Sequence, residues 1–346
     1  MGRSKNVYAS VKSYSQRGKL LKKPDYQTLA ESRDLEELMT RIKNTIYGDA
    51  VSNVEKPYTS HRIESALRSH LADVHYGIAK TAGDSPILDA YYMKFIIANL
   101  KVILKGKVLG KSQEEIESHV NLHAEELIKQ RDIIIKALVA KDLEEVVASL
   151  NAVQFGEEIS KAASLYNETK NIQIFDTYFD KIIYQHLGRA LKNTRDRDVI
   201  KLVGMDVDFY NLLSVIRGKV WELDESQIED LIVVTTPTAP RELLSRMTAA
   251  ATVRDALNEL SGTRYKPLIP ESENELDALA EFERAFEMSI YHASTRSFTK
   301  MFSFATIIAI TKLTSFEVRN LAAIAYAVEQ KIPTETTMSK LVLEEE

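Results

Sequence analysis

DLEELMTRIKNTIYG, from Asp34 to Gly48, returns 108 residues later as DLEEVVASLNAVQFG, from Asp142 to Gly156. Asp, Leu, Glu, Glu and the closing Gly hold identical internal spacing, and apolar residues fall at corresponding places. A weaker third copy follows Thr252, where Val253, Asp255, Ala256, Leu257, Leu260 and Tyr265 stand for Leu35, Glu37, Leu38, Met39, Ile42 and Tyr47. A second landmark trails each of these. Asn99 opens NLKVILKGK, Asn211 opens NLLSVIRGK and Asn320 opens NLAAIAYAV, at separations of 112 and 109 residues. Two landmarks in one order, at one spacing, mark a repeated structural unit. The reading is three tandem repeats of about 110 residues, at 1–112, 113–226 and 227–346, the third lacking both the Gly and the Lys.

The landmarks read as helices. Tyr92, Phe95, Ile96, Leu100 and Ile103 keep the i, i+3, i+4 rhythm of one buried stripe, as do Phe209, Leu212, Leu213 and Ile216. Gly106 and Gly218 then fit the left-handed residue that ends a helix, with Lys105 and Arg217 complementing its dipole. Ser112 with Glu115, and Ser226 with Glu229, match the S-x-x-E capping box of a following helix. In the first landmark, Asp34, Glu36 and Glu37 suit a helix start. Leu231–Thr236 is the best strand-like run, and it reads as a frayed helix end or loop before Pro237.

Composition agrees with an all-α fold. The chain has 346 residues, 45% of them hydrophobic and 27% charged, only 12 Gly, and no Pro between Pro86 and Pro237. Without the strongest helix breaker, that middle stretch supports long helices. There is no Cys, so disulfides and thiolate metal sites are excluded. No apolar run reaches the length of a membrane span, and the basic N-terminus lacks a signal-peptide core, so the chain is expected to stay inside. A net charge of −5 is the wrong sign for a nucleic-acid binder. Charge is uneven, however: the first 23 residues are basic, and the chain ends on Glu344, Glu345 and Glu346.

Candidate chemistry is thin. Gly106 to Ser112 (GKVLGKS) imitates a phosphate-binding loop, but it is one residue short and follows a helical pattern instead of a strand. His119 and His123 stand at i, i+4 on an expected helix, a spacing two metal ligands use, yet Val120 replaces the Glu of the zinc-protease motif and no His has Glu three positions before it. They read as surface residues. No nucleophile elbow or dinucleotide fingerprint occurs. The expectation is a non-enzyme with no catalytic residues, no cofactor and no metal.

Asn99 with Lys101 to Gly110, NLLSVIRGK at Asn211 and EVRNLAAIA from Glu317 to Ala325 resemble the recurring motif of the C-type subunit family of V-type and A-type ATPases, whose vacuolar member is called d. Tyr8, Val11-Lys12, Gly18-Lys19-Leu20-Leu21, Asp25-Tyr26 and the Asp34 helix are similar to its N-terminal pattern; Tyr326-Ala327-Val328 departs from the basic-Gly-basic end expected in the third copy. The resemblance implies a funnel of three helical bundles about a pseudo-threefold axis. It also implies a non-catalytic rotor subunit on the cytoplasmic face of a membrane, peripheral, between central-stalk subunits of the D and F type and a membrane rotor ring of the K/c type, transmitting torque for ATP synthesis or ion transport. Lys105, Lys107, Arg217 and Lys219 lie at equivalent helix ends and are the candidate partner-contact rim, against simple dipole compensation. The repeated asparagines read as buried hydrogen-bonding residues. A generic helical-repeat scaffold and a helical-bundle metalloprotein are the alternatives; a solenoid usually repeats every 30–50 residues or so, which counts against the first.

Overall fold

A computed structural model describes residues 3–152, 155–234 and 239–344. Every regular element among them is helical. Six helices of 19 residues or more dominate: α1 (Ser60–Ala82), α2 (Pro86–Val108), α3 (Ile174–Lys192), α4 (Arg197–Val220), α5 (Glu275–Arg296) and α6 (Phe304–Glu329). Shorter helices are named by their residues. Asp34 caps Leu35–Lys43 by accepting the Glu37 N–H at 2.9 Å, Asp142 caps Leu143–Leu150 through Glu145 at 3.0 Å, and Thr252 caps Val253–Asn258 through Asp255 at 3.0 Å. All three copies of the first landmark therefore start helices in one register, each with a side-chain oxygen on an otherwise unpaired N–H.

The helices carrying the second landmark are core helices. α2 buries Ile96, Ile97, Asn99, Leu100, Ile103 and Leu104, and α6 is buried continuously from Ala305 to Thr314. Burial thus reaches round these helices instead of following the single stripe expected from the rhythm, because they are enclosed by neighbours on several sides.

Two compact units form: residues 86–290, and residues 1–85 together with 291–346. In the first, α2 packs on α3 and α3 on α4. Tyr91, Phe175, Phe179, Phe282 and Phe286 fill its core, and Phe209 stacks on Phe286 at 4.8 Å. In the second, α1 lies along α6, and helix Arg3–Arg17 packs against both. There the chain's two ends meet. Glu317 accepts the Leu21 N–H at 3.1 Å, Glu329 accepts the Ser60 N–H at 3.1 Å, and Thr334 donates to the Ala30 carbonyl at 3.2 Å. The sequence period marks copies along the chain; compactness groups residues differently because first and last segments share one core.

The segment after Glu225–Leu231 leaves helical geometry at Ile232–Val234, as an extended loop; Thr235–Thr238 lie outside the described residues, as do Glu345 and Glu346 of the acidic terminus.

Candidate functional site

The asparagines that open the second landmark perform one task three times. Asn99 Nδ2 donates to the Asn121 carbonyl at 2.7 Å, and Asn99 Oδ1 accepts the Asn121 N–H at 3.1 Å. Asn211 treats Val233 the same way at 3.0 and 2.8 Å, and Asn320 treats Val342 at 2.7 and 3.0 Å. Each partner lies 22 residues downstream. All three side chains are buried. A primary amide offers a donor and an acceptor on one plane, so it can pair with both groups of a peptide at once, as a neighbouring strand would. Each long helix thereby fastens the segment that returns to it, and this clamp is the site that the rest of the geometry serves.

Between asparagine and clamped peptide the chain turns by one device. The Lys111 N–H donates to the Gly106 carbonyl, Leu223 to Gly218 and Ile332 to Ala327, each at 2.9 Å, while Gly110, Glu222 and Lys331 adopt positive φ of 67°, 57° and 56°. This is the Schellman arrangement, which satisfies the last carbonyls of a helix. The left-handed residue is consequently Gly110, not Gly106. Gly106 and Gly218 sit inside α2 and α4 for another reason: a Cβ there would meet Ile116 Cγ1 at 2.5 Å and Ile228 Cγ1 at 2.7 Å. In the third copy Ala327 holds the glycine position and Thr337 the isoleucine position, both buried. Alanine adds one heavy atom on one side, and threonine, two carbons poorer than isoleucine but with a hydroxyl, removes one on the other. The short helix after each turn carries that contact. Ser112 and Glu115 cap it reciprocally as expected, but the second copy uses Asp224 with Gln227, two residues before the expected Ser226 and Glu229.

The four cations at these helix ends have partners within the chain. Lys105 pairs with Asp176 on α3, where Lys101 also reaches Asp180 at 2.6 Å. Arg217 pairs with Glu283 on α5 at 3.2 Å. Lys107 donates to the Leu138 carbonyl at 2.9 Å, and Lys219 to Thr248 at 2.8 Å and to Ala250. Equivalent positions thus make equivalent bonds: one cation bridges to the next long helix and the other ties down the end of a short one. All four are half-buried. Burial lowers the Lys219 ammonium below the usual lysine range.

Three residues before two of the asparagines stands a buried acid. Asp208 accepts from the Tyr265 hydroxyl, from Arg264 at 2.7 Å and from the Ala239 N–H at 3.0 Å. Glu317 accepts from Leu21 and from Tyr47, the residue matching Tyr265 in the first landmark. Burial, reinforced by Asp25, pushes the Glu317 carboxyl up to about 7 against the pull of these donors. The remaining copy has Ile96 and Phe155 at these positions, both buried, so acid and hydroxyl are absent together.

A profile of the ATP synthase (C/AC39) subunit family matches residues 9–340. The chain belongs to that family. Among its relatives, the C subunit of the A-type ATP synthase from Methanocaldococcus jannaschii is 26% identical, with 97% of this chain and 86% of the relative aligned. The protein of the same name from Haloferax volcanii is 25% identical over 99% of both chains, and that of Methanothermobacter thermautotrophicus is 26% identical over 92% of this chain and 83% of the relative.

As a member of the C/AC39 family the chain is a structural part of an ATP synthase, not a catalytic one. Its buried acids fit that description, since Asp208 and Glu317 are engaged in holding backbone and phenols. Among the described residues, no group of three or more His, Asp or Glu side chains gathers as a metal site. His119 lies beyond the end of helix Gln113–Glu117 with Nδ1 2.9 Å from the Glu115 carbonyl, whereas His123 begins a separate helix, so the expected i, i+4 pair does not form. GKVLGKS is the tail of α2, its turn and a helix cap. No described helix is long and apolar enough to cross a membrane.

Proposed function

We propose that this C/AC39 protein is the coupling between the central shaft and the membrane ring of a rotary ATPase. It would turn with the rotor, on the cytoplasmic face of the membrane, and carry torque for ATP synthesis or ATP-driven ion transport. The observation that supports this reading most is the thrice-made asparagine clamp. Torque passes through a body only if its helices resist sliding and unwinding, and each clamp closes a helix, its turn and its return segment into one hydrogen-bonded lobe. Close-packed helices with capped ends and few glycines add to that stiffness. The three sequence repeats, 1–112, 113–226 and 227–346, are proposed to form the pseudo-threefold funnel of the family, with D- and F-type stalk subunits at one end and the K/c-type ring at the other.

The proposed contact rim is Lys105, Lys107, Arg217 and Lys219. Their internal bonds fix the direction of each side chain and leave part of it open to solvent. The test is reconstitution. The purified chain should bind the stalk pair and the isolated ring together and bridge them; if it binds neither, the coupling role is lost. Replacing the four cations with glutamine should weaken one of the two contacts by at least about tenfold with the helical signal intact, as expected for several lost charged contacts. Unchanged binding would make those residues internal braces alone.

A further inference from the structure

Helix Arg3–Arg17 leaves three of its larger apolar residues uncovered by the rest of the protein. The face toward α6 and α1 presents Ala9, Ser10 and Ser13, all buried, while Val7, Tyr8 and Val11 point outward at 39%, 67% and 54% exposure. β-branched residues on an exposed helix surface carry a propensity cost that burial normally offsets. A second apolar projection lies in a segment that packs on this helix. Ser10 meets Thr306 at 3.1 Å and Tyr14 donates to the Phe298 carbonyl at 2.7 Å, so the helix contacts the chain on both sides of the tip Met301–Phe302. Met301 is 70% exposed and Phe302 50%, the latter at φ 60°, a strained conformation for a bulky residue. Lys12 in this helix, Lys19, Lys22 and Lys23 in the chain that follows it, and Lys300 just before the tip are exposed, and no acid precedes Asp25.

We propose that this face of the N-terminal helix, together with the Met301–Phe302 tip, docks on an anionic phospholipid surface. Side chains that protrude from a helix and a loop tip suit insertion at the boundary of headgroups and acyl chains, whereas a partner helix needs a groove to lie in. Tyr, Phe, Met and Val supply the inserted apolar bodies, and the flanking lysines meet lipid phosphates while their stems stay on the apolar side. The inference rests on the reading that the protein works at a membrane, and it adds a contact with lipid itself beside any contact with the ring.

The purified full chain would be sedimented with vesicles of phosphatidylcholine alone and of phosphatidylcholine mixed with phosphatidylglycerol. Binding is expected to the mixed vesicles, to fall with added salt, and to drop by roughly fivefold for each of Lys12→Gln and Lys300→Gln. Met301→Ser with Phe302→Ser, and separately Tyr8→Ser with Val11→Ser, should each weaken it by about tenfold or more, with circular dichroism and melting unchanged. In a Trp221→Phe background, Phe302→Trp should shift its emission to the blue on the mixed vesicles. Equal binding to both vesicle types, or no emission shift, overturns the proposal. So does intact vesicle binding in the serine variants accompanied by loss of binding to the isolated ring, which would assign the face to protein. Ring and shaft binding measured on the same variants tests the coupling role independently, so either can fail alone.

Discussion

Gly106 and Gly218 show how a single atom sets a helix contact. A methyl group at either position would press on isoleucine side-chain carbons closer than real contacts allow, and overpacking of this kind costs about 1–3 kcal/mol. Gly218→Ala should therefore lower the denaturation midpoint, and the third copy supplies the remedy. Adding Ile228→Thr recreates the Ala327 and Thr337 pairing, so the double variant should be more stable than the sum of the two single losses by about 1 kcal/mol in a double-mutant cycle. The asparagines are less forgiving. Asn211→Ala strips partners from both the N–H and the carbonyl of buried Val233, at roughly 1–3 kcal/mol for each group left unsatisfied; urea unfolding of the 99, 211 and 320 variants should show comparable losses. That these residues recur is plain in the sequence, and so is their burial. The peptide they hold is not, since nothing in residue type marks Asn121, Val233 or Val342 as a target; only the folded chain brings it close. The role of the glycines is hidden for a related reason: a glycine near a helix end suggests the left-handed turn, and the crowding by Ile116 belongs to tertiary packing.

Helices are the most legible level. Their starts follow from Asp34, Asp142 and Thr252, and the capping box at Ser112 stands where its pattern places it. The box of the second copy is displaced because Ser226 and Glu229 satisfy the pattern equally well; the register is set by the Schellman turn ending at Leu223, which is followed at once by Asp224, extended and placed to cap the helix. That turn invites a test. Glu222 and Lys331 hold the left-handed position that glycine occupies in the first copy, where a side chain costs about 1 kcal/mol. Glu222→Gly and Lys331→Gly should each be neutral to stabilising, up to about 1 kcal/mol in thermal melts, in contrast to the loss expected from glycine inside an ordinary helix. Between elements, the bond from Lys105 to Asp176 is partly solvated, so a double-mutant cycle on that pair should return no more than about 1 kcal/mol and shrink with added salt.

The molecule as a whole depends on joining its ends, which a linear period does not reveal. Glu317 on α6 holds Leu21 and Tyr47 from the other end of the chain. Its folded-state pKa of about 7 lies above the ordinary value of 4.5, so the folded chain binds the extra proton. Stability from this group is full below the ordinary carboxylate range and declines as pH rises toward 7, by up to about 3 kcal/mol. Glu317→Gln should flatten that dependence in melts taken across the interval, and Tyr47→Phe should move it to higher pH by removing a donor to the ionised form. There is also a cost in time. Residues 1–85 share their core with 291–346, and residues 86–290 separate the two. At about 5–20 residues per second, a ribosome needs roughly 10–40 seconds to translate that interval. Until α6 emerges, Leu38, Met39, Ile42, Ile63 and Leu67 have no completed home. The nascent chain is therefore expected to lean on holding chaperones early, and a premature stop anywhere before α6 strands its beginning as well as its end.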